Sequence, residues 1–260
     1  MRKPLVGTGW KMNHGPAAAR QYAEQLRALL AERRTEGLEI FVLPPFVSLP
    51  AAADAFAGSP VGIGGQNVHW EEAGSWTGEI SAPMLREVGC RYVELAHSER
   101  LEHFGETYPL VRRKLDASVA AGLTPILCLG ESAGDKASGR SAETLREQVT
   151  TALAGQTPES VPGVILAYEP RWAIGQAEAA PPDYVAERHA GLRDLLRAEW
   201  GAEAAEATRI IYGGSVSPAN GGSLIALPDV DGLFIGRAAW TAEGFARMID
   251  IVAAAKAPVT

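Results

Sequence analysis

Eight short apolar runs punctuate the chain, at residues 4–10, 40–46, 61–67, 91–97, 124–130, 164–170, 209–215 and 232–238. Each is apolar almost throughout instead of alternating with a period of two. That is the pattern of strands covered on both faces, and it predicts a parallel sheet. Between the runs, apolar positions recur at helical spacing, as in PAAARQYAEQLRALLAERR from Pro16, PLVRRKLDASVAAG from Pro109 to Gly122, and PDYVAERHAGLRDLLRAEWG from Pro182 to Gly201. Proline in the first turn and glycine just past the end bound these helices. Strand and helix alternate along the whole chain with no linker, charge block or composition shift, so residues 1–260 are expected to form a single domain.

Eight such units in 260 residues predict an α/β fold, a (β/α)8 barrel, an architecture of about 250 residues. The rival is an open doubly wound sheet, which usually has fewer strands and often carries a Gly-rich dinucleotide turn after its first strand. Here that turn reads GTGWKMNHG and lacks the third glycine in place.

In such a barrel, polar residues at the strand C-termini face the active end. Read this way, the chain directs Lys11, Asn13, Gln66, Asn67, His97, Glu99, Glu131, Glu169 and Ser215 to one mouth, with Gly213, Gly214 and Gly236 in the turns. Pro170 disfavours helical geometry at Glu169 and keeps that acid on an extended strand end. The segment PRWAIGQA that follows (170–177) starts stiff, is apolar at Trp172, Ala173 and Ile174, and reaches a hinge at Gly175, a composition suited to a lid that excludes water. His97 precedes SERLE, in which Ser98 is expected to cap a short helix whose positive end favours a neutral imidazole. The structural alternatives are a salt bridge for Glu169, a packed ring for His97, and a solvated ammonium with its stem on Trp10 for Lys11. The turns YGGSV (212–216) and DGLFIGRAAW (231–240) follow the last two strands, where barrels often bind phosphate through backbone N–H groups.

Composition narrows the partner. With a net charge of −7 there is no global basic surface for nucleic acid or anionic lipid, and no apolar run approaches the roughly 20 residues that span a bilayer. Two cysteines, Cys90 and Cys128, give neither a disulfide framework nor a metal cluster, which fits a reducing cytoplasm. The N-terminus passes straight into a short strand without a signal-peptide core. A small anionic substrate in a local pocket is the reading that remains.

The motifs GWKMN (9–13), GGQNVHW (64–70), GSWTGEIS (74–81), ELAHSER (94–100), HFGET (103–107), CLGE (128–131), AYEPRWAIG (167–175), YGGSV (212–216) and DGLFIGR (231–237), in this order, resemble the triosephosphate isomerase family. The resemblance implies a TIM barrel and a cofactor-independent, metal-free aldose–ketose isomerase acting on a small sugar phosphate through an enediolate. It implies Glu169 as the base that moves a proton between adjacent carbons and neutral His97 as the group that polarises the carbonyl. Lys11 is implied as an electrostatic stabiliser, with Glu99 as its supporting carboxylate. Backbone N–H groups at Gly175, Ser215, Gly236 and Arg237, beside Gly214, are implied as the phosphate grip. Triosephosphate isomerase is the standard illustration of this Glu/His tuning and of loop closure, so the roles are carried over from the family and not read from spacing. A dry site suits an enediol phosphate, which in water tends to lose its phosphate. Glycoside hydrolysis would need a second carboxylate, and none is paired with Glu169 in the sequence.

The chain departs from the family's pattern in several places. The family usually has asparagine two residues before the lysine, where this chain has Gly9. The last phosphate turn has Arg237 in place of a second glycine, Trp76 stands where phenylalanine is common, and Arg171 occupies a lid position that is usually small and apolar. Together these changes resemble the branch that isomerises erythrulose phosphate in erythritol-type catabolism, and losing a side chain at Gly9 suits a substrate one hydroxymethylene longer. Ordinary triose phosphate interconversion is the alternative, and a barrel that binds sugar phosphate without turnover is a third. The loop 66–81, with Trp76 and Thr77, resembles the one by which family members reach a neighbouring subunit, so a homodimer is implied. Cys128 is expected to be a buried packing residue.

Overall fold

Strands form at all eight apolar runs: β1 (Leu5–Gly9), β2 (Glu39–Leu43), β3 (Val61–Gly65), β4 (Tyr92–Leu95), β5 (Thr124–Leu129), β6 (Ile165–Tyr168), β7 (Arg209–Gly213) and β8 (Gly232–Ile235). Each stops a little before its run ends, because the last residues turn out of the sheet into the loops of one mouth. In the computed structural model, which describes residues 2–33, 35–176 and 178–256, every strand pairs in parallel with its sequence neighbours. β1 pairs with β8 (Leu5 opposite Gly232) and closes the barrel in the order β1 to β8.

Closure explains the continuous apolar runs. Alternate residues point to opposite faces of a strand, and here both faces are dry. Leu5, Phe41, Leu43, Tyr92, Ile126, Cys128, Ile165, Ile211 and Phe234 fill the barrel interior. Val6, Ile40, Val42, Val93 and Leu95 pack outward beneath the helices. The interior is tight enough that a Cβ on Gly7 would lie 2.0 Å from the Phe41 ring, so glycine there is what admits a phenylalanine opposite.

The surrounding helices begin as their prolines indicate. Pro16–Leu30 buries Ala19, Tyr22, Ala23, Leu26 and Leu30 on one stripe, and Tyr108–Ala120 has Pro109 in its first turn. The helix from Pro182 breaks at Gly201 (φ 89°), as its sequence suggests, but a further helical stretch carries the chain on to Ala207. Among the described residues no helix is long and apolar enough to cross a membrane.

The end of the barrel away from the mouth is held by charge. Buried Arg193 donates to Asp231 at 2.8 Å, to Asp229 at 3.1 Å and to the carbonyls of Ala205 and Thr208. Asp231 also accepts from Arg2 at 2.6 Å and from the Ile210 N–H at 2.8 Å. Removing one member of such a network leaves buried charge uncompensated. Arg193→Met is therefore expected to lower unfolding stability by about 3 kcal/mol in urea titration while leaving the opposite mouth intact; an unchanged midpoint would contradict this role.

Candidate active site

A cavity of about 690 Å³ opens at the strand C-termini. Lys11, His97, Glu99 and Glu169 line it, together with Gly9, Gly175, Gly214, Ser215, Gly236 and Arg237. These residues leave the barrel at five different strands, β1, β4, β6, β7 and β8, and the lid follows β6.

Lys11 sits in the left-handed region (φ 52°), as do Ala96 (φ 61°) and Ser215 (φ 50°). Non-glycine residues adopt that conformation only when their surroundings impose it, commonly at sites. The surroundings here are specific. Gln66 Nε2 donates to the carbonyls of Lys11 (3.0 Å) and Leu43 (2.9 Å), Asn13 donates to the Trp10 carbonyl (2.8 Å), and Trp240 Nε1 donates to the Gly9 carbonyl (3.1 Å). The ammonium so placed donates to Glu99 Oε1 at 2.5 Å. Burial pushes the Glu99 carboxyl up, but the hydrogen bond from Lys11 and the neighbouring positive charges outweigh it and hold it below the usual range.

His97, not Ser98, caps the short helix Ser98–His103. Its Nδ1 accepts the Glu99 N–H at 3.2 Å, and Ser98 is the first helical residue. The capping bond needs a lone pair on Nδ1, so the neutral ring carries its proton on Nε2, which faces Glu169 Oε2 at 3.8 Å. Burial, with Lys11 adding to it against Glu99, drives the imidazole down to about 4. For Glu169 burial has the opposite sign and raises the carboxyl to about 7, against the pull of Lys11. The Glu169 N–H is anchored on the Leu129 carbonyl at 2.7 Å. A Cβ on Gly213 would fall 2.6 Å from Glu169 Oε1, so that glycine makes room for the acid.

The lid is tied at both ends. Trp172 Nε1 donates to Glu131 at 2.8 Å, and Glu131 also accepts from Tyr184 (2.8 Å) and Tyr168 (3.2 Å). At the far end the Ala180 N–H donates to the Tyr212 hydroxyl at 3.1 Å, and between them Ser215 Oγ lies 2.8 Å from the Ala173 carbonyl and 2.9 Å from that of Gln176. Ala177 lies outside the described residues.

Several residues expected at the mouth serve elsewhere. Glu131 anchors the lid, and Asn67 accepts from buried Lys114 at 2.8 Å in a network with Glu106. Arg171 turns from the cavity toward Asp135 (3.9 Å) and Glu102 (4.0 Å). Trp76 and Thr77 lie on an exposed loop outside the cavity lining, where Trp76 packs against His69 at 4.4 Å. Among the described residues no three His, Cys, Asp or Glu side chains come together as metal ligands would.

One lining residue was not anticipated. Glu94, in the middle of β4, points into the cavity, with Oε1 3.8 Å from Cys128 Sγ. Burial, followed by the charge of Glu169, pushes its carboxyl up to about 8, so it is protonated at neutral pH. The mouth therefore contains a third carboxyl beside Glu169 and Glu99, in a neutral form. The signal was its position: an acid in an apolar strand, in phase with inward-facing Tyr92.

Residues 4–252 match the family model described as triosephosphate isomerase. The L-erythrulose-1-phosphate isomerase of Mycolicibacterium smegmatis is 44% identical over 250 residues, covering 96% of this chain and 93% of that protein. The triosephosphate isomerase of Solibacter usitatus is 40% identical over 250 residues, covering 96% of this chain and 100% of that protein. The crystal structure of triosephosphate isomerase from Bartonella henselae superposes with a TM-score of 0.86 at 32% identity, covering 96% of this chain and 98% of that one. With that match over nearly its full length and on this closed barrel, the chain belongs to the triosephosphate isomerase family and is an isomerase of that type.

Proposed function

We propose that this enzyme interconverts L-erythrulose 1-phosphate and erythrulose 4-phosphate, with Glu169, His97, Lys11 and Glu99 as its machinery. The observation that carries the choice of substrate is the room left at Gly9. A Cβ there would fit in ordinary van der Waals contact with the Phe234 ring at 3.5 Å and Glu94 Oε2 at 3.8 Å. In dihydroxyacetone phosphate the carbon that gives up its proton carries a second hydrogen; in L-erythrulose 1-phosphate it carries a hydroxymethyl group, which needs that space. The 44% identity to an L-erythrulose-1-phosphate isomerase points the same way. Triose phosphate interconversion is the second reading, favoured by the relative from Solibacter usitatus.

The proton transfers are the same in both, although the tetrulose reaction turns one ketose phosphate into another where the triose reaction turns a ketose into an aldose. Glu169 removes the proton from the hydroxyl-bearing carbon beside the carbonyl, while the His97 Nε2–H and the Lys11 ammonium face the developing oxyanion. The protonated base returns the proton to the former carbonyl carbon, and the imidazole passes the hydroxyl proton between the two oxygens. With the tetrulose, the carbonyl moves from C2 to C3 and no atom is gained or lost. The step is redox-neutral within one molecule and asks for no external hydride or electron carrier. Backbone N–H groups at Gly175, Ser215, Gly236 and Arg237, with Gly214 between the strands and the guanidinium of Arg237 at the rim, hold the phosphate. Buried free Cys90 and Cys128 accord with a cytoplasmic enzyme.

The exposed apolar side chains Met12 (96% exposed), Val47, Trp76 and Phe104 (68%) lie on the connections after β1, β2, β3 and β4, consecutive neighbours in the barrel. A second copy of the chain covering that sector, with the Thr77 loop against the partner's mouth, is the proposed assembly.

Four measurements test these readings. In kcat/KM compared side by side, L-erythrulose 1-phosphate is expected to exceed its enantiomer and dihydroxyacetone phosphate by about tenfold or more. Glu169→Asp, which withdraws the carboxylate by about 1 Å, is expected to lower kcat about 100-fold. An equal margin for the triose would select the second reading, and silence on all substrates would leave a binding barrel. Because the base must be ionised, kcat/KM is expected to fall as pH drops below about 7, where Glu169 takes up its proton, with no loss from imidazole protonation until near 4. A flat profile from pH 5 to 8 would remove Glu169 from the role of base. Light scattering is expected to give twice the chain mass for the native protein and a single chain mass for Trp76→Glu/Phe104→Glu.

A further inference from the structure

The fold supplies partners for its buried acids other than Glu169 and Glu94. Glu106 is paired with Lys114, and Glu131 accepts from three aromatic donors. Glu169 is left free as the proposed base, but Glu94 has no such task. It is 6% exposed, yet among the described residues it has no ion pair, and its one side-chain hydrogen-bond partner is the weak Cys128 thiol at Oε1. A buried carboxyl left without partners is expensive, and the second oxygen, Oε2, faces the cavity beside Gly9.

That oxygen forms one wall of a niche. The Gly9 backbone, braced by Trp240, is the floor, and the edge of the Phe234 ring, 3.5 Å from a Cβ built on Gly9, is the opposite wall. Gly9 has no left-handed φ to require a glycine, so its missing side chain serves to keep the niche open. The niche adjoins the reacting groups, since Gly9, Glu94 and Phe234 line the same cavity as Lys11, His97 and Glu169.

We infer that Glu94 determines substrate specificity: its carboxyl hydrogen-bonds the terminal hydroxyl of a hydroxymethyl group carried on the reacting carbon and seats that group over Gly9. This rests on the four-carbon reading above and names the residue that enforces it. A neutral acid both donates to and accepts from a hydroxyl, and it does not repel the enediolate beside it. A triose phosphate, with hydrogen at that position, leaves the carboxyl unpaired and the niche empty, a difference a polar site discriminates strongly.

The test uses the full-length enzyme with Glu94→Leu and Glu94→Gln. On L-erythrulose 1-phosphate the Leu variant is expected to lose about thirtyfold in kcat/KM, the Gln variant to recover most of it, and both to stay within about threefold of the native enzyme on dihydroxyacetone phosphate. Equal losses on both substrates, or a tetrulose preference that survives Glu94→Leu, would overturn the inference. The four-carbon reading is judged separately, on the unmutated enzyme. Two unreactive polyol phosphates, tetritol 1-phosphate and glycerol 3-phosphate, are compared as competitive inhibitors. If the native enzyme turns over only the triose yet binds the tetritol phosphate about tenfold more tightly, and Glu94→Leu abolishes that margin, the niche stands and the substrate reading falls. If the two polyols bind alike in the native enzyme, the niche falls.

Discussion

Pairing of β1 with β8 is the constraint on which the rest of this molecule depends. It removes both sheet edges and seals the interior from water. It also gathers the ends of strands far apart in sequence around one mouth. Lys11 follows β1, His97 and Glu99 follow β4, Glu169 follows β6, and the glycine turns follow β7 and β8. The ammonium, the imidazole and the buried carboxyl thus come from strands that are not neighbours along the chain, and only closure brings them to one cavity. Closure also imposes the glycines: Gly7 yields to Phe41, and Gly213 yields to the Glu169 side chain.

Removal of water then sets the protonation states. The same burial that lifts Glu169 to about 7 and Glu94 to about 8 drives His97 down to about 4, because desolvation always disfavours the charged form. Glu99 escapes through its hydrogen bond from Lys11. The mouth thus holds a carboxyl that titrates near neutrality, an uncharged imidazole, a neutral acid and a paired cation. Their separation comes from solvent exclusion and two or three directed contacts, not from unusual residue types.

Buried and half-buried carboxyls divide the molecule into regions with different tasks. At the sealed end, Asp231 and Asp229 are satisfied by Arg193 and Arg2 and hold the helices to the barrel. Beneath the lid, Glu131 collects Tyr168, Trp172 and Tyr184 and fixes where the lid begins. In the cavity, Glu169 and Glu94 keep oxygen atoms free of protein partners, which leaves them available to a substrate. The degree to which an acid is satisfied by the protein is what separates support from chemistry here.

The sequence by itself determined the elements and their order. Apolar runs, first-turn prolines and terminal glycines are local signals, and the strands and helices appear where those signals lie. It also determined the family, because the motifs follow one another in a fixed order along the chain. Strand-end residues were legible as a group for the same reason: barrel ends are polar only at the mouth and the seal. What each one faces was not. Asn67 and Glu131 leave the mouth for Lys114 and the lid, Arg171 turns toward Asp135, and His97 takes the cap that Ser98 was expected to fill. Glu94 lies inside a strand that reads as uniformly apolar core, and it reaches the cavity because closure turns every second residue of β4 inward. Those outcomes depend on partners tens of residues away, and only the tertiary structure decides them, since a side chain's direction and its access to water are set by what packs against it.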